Sequence, residues 1–210
     1  MKYSFNVFVL SIVFVLFHSC SNKNGISIDD ISLSKTTQKY SYHLDDKPYT
    51  GRVYEYFSNS EILKQEFNVL DGFLSGSFNE YYANGVLKSS ISYEKGILNG
   101  LSQKFYQNGQ LKESVNYSQG NFNGKRMVYW SNGVLKELNT FKNGILGGEN
   151  LYYYSDGKLR KSLRFDQGGK RNGLWEDFHP NGQLKIKTIY SNGSLVSKSD
   201  TYDFLGNIIK

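Results

Sequence analysis

Apolar and polar positions recur along this chain with a period of 24 residues. Three consecutive stretches, opening at Gly76, Gly100 and Gly124, read GSFNEYYANGVLKSSISYEKGILN, GLSQKFYQNGQLKESVNYSQGNFN and GKRMVYWSNGVLKELNTFKNGILG. A short fixed period marks a chain built from one supersecondary unit that is stabilised by copies of itself. Counting the opening glycine as position zero, position five is Tyr56, Tyr81, Phe105, Tyr129, Tyr153 and Phe178. Position six is Phe57, Tyr82, Tyr106, Trp130, Tyr154 and His179. Five of the six copies place Asn-Gly or Asp-Gly at positions eight and nine. Such a dipeptide tolerates positive φ, and between two runs of strand-forming residues it signals a hairpin turn. Each unit is therefore predicted to be a β-hairpin, joined to the next by a second turn near Gly72, Gly96, Gly120, Gly144, Gly168 or Gly193.

The expected fold is all-β, an elongated array of stacked antiparallel hairpins over residues 42–210. It comprises about six 24-residue repeats, with a partial unit at 42–51 and a closing half-repeat around Tyr202, Gly206 and Ile208. Atypical end units are what capping of a stacked array requires. A three-residue loop ending in a left-handed glycine would pair position five with eleven and four with twelve. On that register, strand alternation places positions five, eleven, fifteen and seventeen on one apolar face, and six, twelve, fourteen and sixteen on a polar-aromatic one. It also sets Glu55 opposite Lys64, Glu80 opposite Lys88, and Asp177 opposite Lys185. A single sheet with one greasy side must coil, dimerise or meet a partner.

Two prolines and 21 glycines beside 17 tyrosines and 14 phenylalanines agree with strands and tight turns. The formal net charge of +6 is moderate, and no basic cluster is dense enough to indicate nucleic acid. Residues 1–19 stand apart: Lys2 precedes an apolar run from Phe5 to Phe17, the anatomy of a signal peptide. Residues 20–41 are polar and aperiodic, and are expected to form a flexible tether. Cys20 is the sole cysteine, so no intramolecular disulfide is available.

Candidate chemistry is sparse. His179 as a base would need an oriented partner; Asp177 lies two residues away but is expected to pair with a lysine. No phosphate loop and no zinc or calcium ligand spacing appears, so no catalytic residue, cofactor or metal is assigned. The candidate contact surface is the position-six row, Phe57, Tyr82, Tyr106, Trp130, Tyr154 and His179, with the basic residues of position twelve, Lys88, Lys112, Lys136 and Arg160. Aromatic rings and cations in one row suit a peptide, an acidic head group or a carbohydrate.

The segment YYANGVLKSSISYEKGILNG resembles the bacterial MORN-repeat variant: an aromatic pair, Asn-Gly, a Leu-Lys step, an aromatic, and a closing Gly-x-Leu-x-Gly. That resemblance implies a non-enzymatic scaffold for protein or membrane association. Many such chains carry the YwqK antitoxin-like label, which implies a toxin-neutralising alternative; carbohydrate binding is a third reading. Ser19-Cys20 after the apolar run resembles a bacterial lipobox, with Leu16 one place further out than usual. It implies lipidation of Cys20 and an exported protein held at a membrane of the cell envelope.

Overall fold

The computed structural model describes residues 25–35, 40–197 and 200–209. The expected signal peptide and Cys20 lie outside them. After β1 (Ile26–Ser27) and a 3-10 turn (Ile28–Asp30) come β2 (Ser32–Lys35), β3 (Tyr40–Leu44) and β4 (Lys47–Pro48). Six hairpins follow: β5 (Gly51–Tyr56) with β6 (Leu63–Leu70), β7 (Phe73–Tyr81) with β8 (Leu87–Glu94), and β9 (Ile97–Phe105) with β10 (Leu111–Ser118). Then come β11 (Asn121–Tyr129) with β12 (Leu135–Lys142), β13 (Ile145–Tyr153) with β14 (Leu159–Phe165), and β15 (Gly173–Phe178) with β16 (Leu184–Ser191). Short strands β17 (Ser194–Leu195), β18 (Asp200–Tyr202) and β19 (Ile208–Ile209) close the described chain. The hairpins form one 16-stranded sheet in chain order, with β1 parallel to β5 at one edge and β19 at the other. Strands β2, β3 and β4 form a separate small sheet.

Both turns follow from the sequence. At the hairpin tip, the Tyr82 amide donates to Val86 O and the Gly85 amide to Tyr82 O, each at 2.8 Å, with Gly85 left-handed at φ 79°. This is the expected three-residue loop. Between hairpins, Leu70 pairs with Phe73 across Asp71 (φ 49°) and Gly72 (φ 80°), a two-residue turn whose twist matches that of the strands. Repeat five departs, using a longer loop from Asp166 to Lys170.

The register beyond position eleven differs from expectation. Tyr81 pairs with Leu87, but Glu80 pairs with Ser89, one residue past Lys88. The same shift occurs in all six hairpins: position four meets position thirteen. A β-bulge at position twelve accounts for it, and an extra residue reverses the alternation downstream. The predicted division into an apolar and a polar side is therefore corrected. Positions five and eleven share one face with fourteen and sixteen. Positions two, four, six, twelve, thirteen, fifteen and seventeen share the other, so the position-six aromatics lie on the face that carries the inner rows. The Lys64–Glu55 (2.7 Å) and Lys88–Glu80 (3.8 Å) ion pairs form across the bulge, whereas Asp177 pairs with Lys161 (3.1 Å), its registered neighbour on β14, and not with Lys185.

Positions two and fifteen lie opposite one another throughout and make a spine along the inner face. At its start the spine is apolar: Val53 and Phe67 are buried, with Val69 of position seventeen buried beside them, and Phe67 stacks on Phe78 at 4.9 Å. Ile26, Ile28, Ile31, Tyr42 and Tyr49 cover this end. Ile26, Ile28 and Ile31 thus pack against the array, while Ser32–Lys35 pairs with β3 of the small sheet. These isoleucines supply the apolar surface that the first hairpin lacks, and the 3-10 turn between them breaks any strand periodicity. Further along, the spine becomes polar. Asn150 is fully buried, yet its Oδ1 accepts from the Thr140 amide (3.2 Å) while Nδ2 donates to Gly147 O and Gly148 O. Each of its polar atoms is satisfied, as burial demands.

Candidate functional site

The position-six row runs along the tips of the hairpins. Each polar member reaches forward to the position-five carbonyl of the next unit. Tyr82 donates to Phe105 O (2.9 Å), Tyr106 to Tyr129 O (2.8 Å), Trp130 to Tyr153 O (3.4 Å) and Tyr154 to Phe178 O (2.8 Å). The two ends belong to strands separated by one intervening strand, roughly 10 Å apart. A long flat side chain with a polar tip fits that span, and Phe57, which lacks the tip, cannot make the bond. His179 takes the tyrosine's place: it is 7% exposed, its Nε2 lies 2.9 Å from Tyr202 O, and its ring lies 4.1 Å from that of Phe204. A carbonyl only accepts, so this nitrogen carries the proton. The asparagines of the turns add a second stitch, as Asn132 donates to Ser155 O (2.9 Å) and Asn181 to Phe204 O (2.7 Å).

The basic row lies over these rings only in part. Lys112 Nζ is 5.5 Å from the Tyr106 ring centre and Lys136 Nζ 4.5 Å from that of Trp130, within cation–π range. Lys88 turns to Glu80 instead, and Arg160 to Tyr152. The fold therefore brings together Tyr82, Tyr106, Trp130, Tyr154, His179, Lys112 and Lys136, with the ring tips tied to backbone and two cations over ring faces.

Sequence reading missed a charged ladder in positions two, four and thirteen of the same face. Glu113 meets Lys104 at 2.9 Å and Arg126 at 2.7 Å, and Arg126 continues to Glu137 at 3.1 Å. Burial opposes ionisation of Glu113, but the bonds from Lys104 and Arg126 outweigh it and hold the carboxyl below its ordinary range. On the opposite face Glu66 behaves alike: burial opposes its charge, and Tyr81 (2.6 Å), Arg52 and Asn79 overcome that and lower it. Burial and this carboxylate together raise the Tyr81 phenol. Alternating charge across the hairpins was the available signal, but it becomes visible only once the bulge is counted. Among the described residues no group of three or more His, Cys, Asp or Glu side chains could hold a metal ion, and no helix is long and apolar enough to cross a membrane.

No curated protein matches the chain. The model of the MORN repeat variant family matches residues 74–95, 98–119, 122–143, 146–167 and 171–192. These are the five hairpins from β7/β8 to β15/β16; the β5/β6 hairpin, outside the match, repeats their bulge but closes with a tip loop one residue longer, from Phe57 to Ile62. Since the matched segments span just over half of the 210 residues and each coincides with one hairpin, the chain belongs to the MORN repeat variant family.

Proposed function

We propose that the protein is a non-enzymatic interaction scaffold, exported and held at a membrane of the cell envelope by a lipid on Cys20. The observation that carries the scaffold reading is the tip row, where Lys112 and Lys136 sit over tied aromatic rings at a fixed 24-residue spacing. Rigid aromatics with cations beside them are what recurs at protein contact surfaces. A protein partner suits this row better than a glycan, because Lys136 already occupies a face of Trp130 on which a sugar would stack. Six residue steps separate Cys20 from Ile26, a reach of about 20 Å when extended. A lipid at Cys20 would therefore hold the covered end of the array close to the bilayer.

The experiment exchanges Lys88, Lys112, Lys136 and Arg160 together for glutamine, which leaves the aromatic bonds in place. The expected outcome is an unchanged melting temperature with at least tenfold weaker retention of envelope proteins. Equal retention would remove the support for this row. Capture of one tight, stoichiometric partner would favour the toxin-neutralising reading over a general scaffold.

A further inference from the structure

Asn-Gly recurs along this chain in settings that the fold treats differently. At the hairpin tips the asparagine is tied at both ends. Asn132 Oδ1 accepts from the Val134 amide (3.1 Å) while its Nδ2 donates to Ser155 O (2.9 Å), and Asn181 is held likewise by the Gln183 amide (3.1 Å) and Phe204 O (2.7 Å). Asn84 and Asn108 repeat the arrangement. Asn99, Asn123 and Asn172 precede opening glycines that are strand residues, Gly100, Gly124 and Gly173, registered with Tyr117, Phe141 and Tyr190. Among the described residues, only Asn143-Gly144 and Asn192-Gly193 form two-residue turns between paired strands, β12/β13 and β16/β17. Both asparagines are exposed and left-handed at φ 49°, and their side chains make no hydrogen bond among the described residues.

We infer that Asn143 and Asn192 are sites of spontaneous deamidation and isoaspartate formation, from which the clasped tips are protected. The amide nitrogen of the following glycine gives its proton to solvent base and attacks the asparagine Cγ. The new N–Cγ bond closes a succinimide ring, the Cγ–Nδ2 bond breaks, and Nδ2 takes up a proton and leaves as ammonia. Water then opens the ring at one carbonyl to give aspartate or at the other to give isoaspartate. Asparagine is a thermolabile residue, and glycine puts no side chain in the way of the attack. The attacking nitrogen is restrained equally in the two kinds of turn: the Gly144 amide donates to Phe122 O, that of Gly193 to Arg171 O and that of Gly182 to His179 O, each at 2.8 Å. Local sequence does not separate them either, since Ser131-Asn132-Gly133 and Ser191-Asn192-Gly193 are the same tripeptide. The difference lies in the side chain. At a tip the amide must first break its bond to the next unit, whereas at Asn143 and Asn192 a rotation in solvent suffices. The products differ in consequence. Aspartate suits the turn, because Asp71-Gly72 occupies it between β6 and β7 with the same φ of 49°. Isoaspartate carries the main chain through its side-chain carbon and lengthens a turn that fits two ordinary residues between Lys142 and Ile145, so it loosens the array between β12 and β13.

The test holds the intact protein in mildly alkaline buffer and follows each asparagine by peptide mass spectrometry. Asn143 and Asn192 are expected to convert at least fivefold faster than Asn132 and Asn181. In concentrated urea, where the clasps are gone, Asn192 and Asn132 should convert within twofold of one another. Equal rates in the folded protein, or an order that persists in urea, overturn the assignment. Asn143→Asp should keep the melting temperature of the parent protein, while aged protein enriched in isoaspartate at position 143 should exchange its β12 and β13 amides at least tenfold faster. A melting temperature lowered by Asn143→Asp, or exchange unchanged in the aged protein, overturns the reading of the two products.

Discussion

The two ends of the array are built from the same hairpin and differ in what lies over it. At the first hairpin a second layer of Ile26, Ile28, Ile31, Tyr42 and Tyr49 closes over Val53, Phe67 and Val69, leaving Phe67 only 2% exposed. At the other end nothing comparable covers the sheet among the described residues, and Leu205 is 83% exposed, with Phe204, Ile208 and Ile209 also in solvent. The hairpin unit by itself therefore settles strand order and register but makes no sealed core. Away from that end single side chains such as Val115 and Asn150 are buried between neighbouring strands, but the cluster of buried apolar residues forms where the cover is added, at the amino-terminal end.

That contrast can be broken most directly at the buried ring. Phe67→Ala should lower stability by about 3–5 kcal/mol, whereas Leu205→Ala should stay within about 0.5 kcal/mol, both read from urea unfolding. Similar losses at the two sites would mean that the cover over the first hairpin contributes little. A smaller effect tests whether the middle of the array depends on its clasps. Tyr106→Phe removes only the bond to Tyr129 O and should cost about 1 kcal/mol. A cost indistinguishable from zero would show that packing of the ring is sufficient.

The smallest expected effect is acid sensitivity at the covered end. Glu66 has a lowered pKa in the folded chain, so the unfolded chain takes up its proton first as the pH falls. The stability it contributes is complete above the ordinary carboxylate range and is lost as the pH drops through the lowered value. Urea midpoints measured from pH 6 to pH 3 should fall less steeply in Glu66→Gln than in the parent protein. Parallel curves would place the acid response elsewhere, with Glu113 the next group to change.

The repeat, both turns and the pairing of position five with eleven were legible because each rests on residue types with strong backbone preferences, above all Asn-Gly and the glycines of the second turn. The bulge was not. Lys88 and its counterparts resemble any solvent-facing strand residue, and an extra residue repeated in every unit leaves the period unchanged. Missing it misassigned the faces of positions fourteen to seventeen and so hid the spine. The aromatic row was visible at position six, but its bonding partner was not, since a backbone carbonyl has no side-chain identity to read. Ile26, Ile28 and Ile31 were overlooked because the turn between them interrupts any regular spacing.

The tip clasp bears on how such a chain can change length. Its donor is a side chain carried by each unit from that of Tyr82 to that of His179, though not by the first, where Phe57 stands, while its acceptor is main chain that every unit possesses whatever its sequence. Duplication or loss of one of these donor-bearing units therefore leaves its junctions chemically intact, with no compensating change needed in the neighbours. Asp203 stands at position six of the half-repeat without such a donor: its carboxylate accepts from the amides of Leu205 and Asn207, both at 2.8 Å, so at this position the slot serves its own turn and not a neighbour.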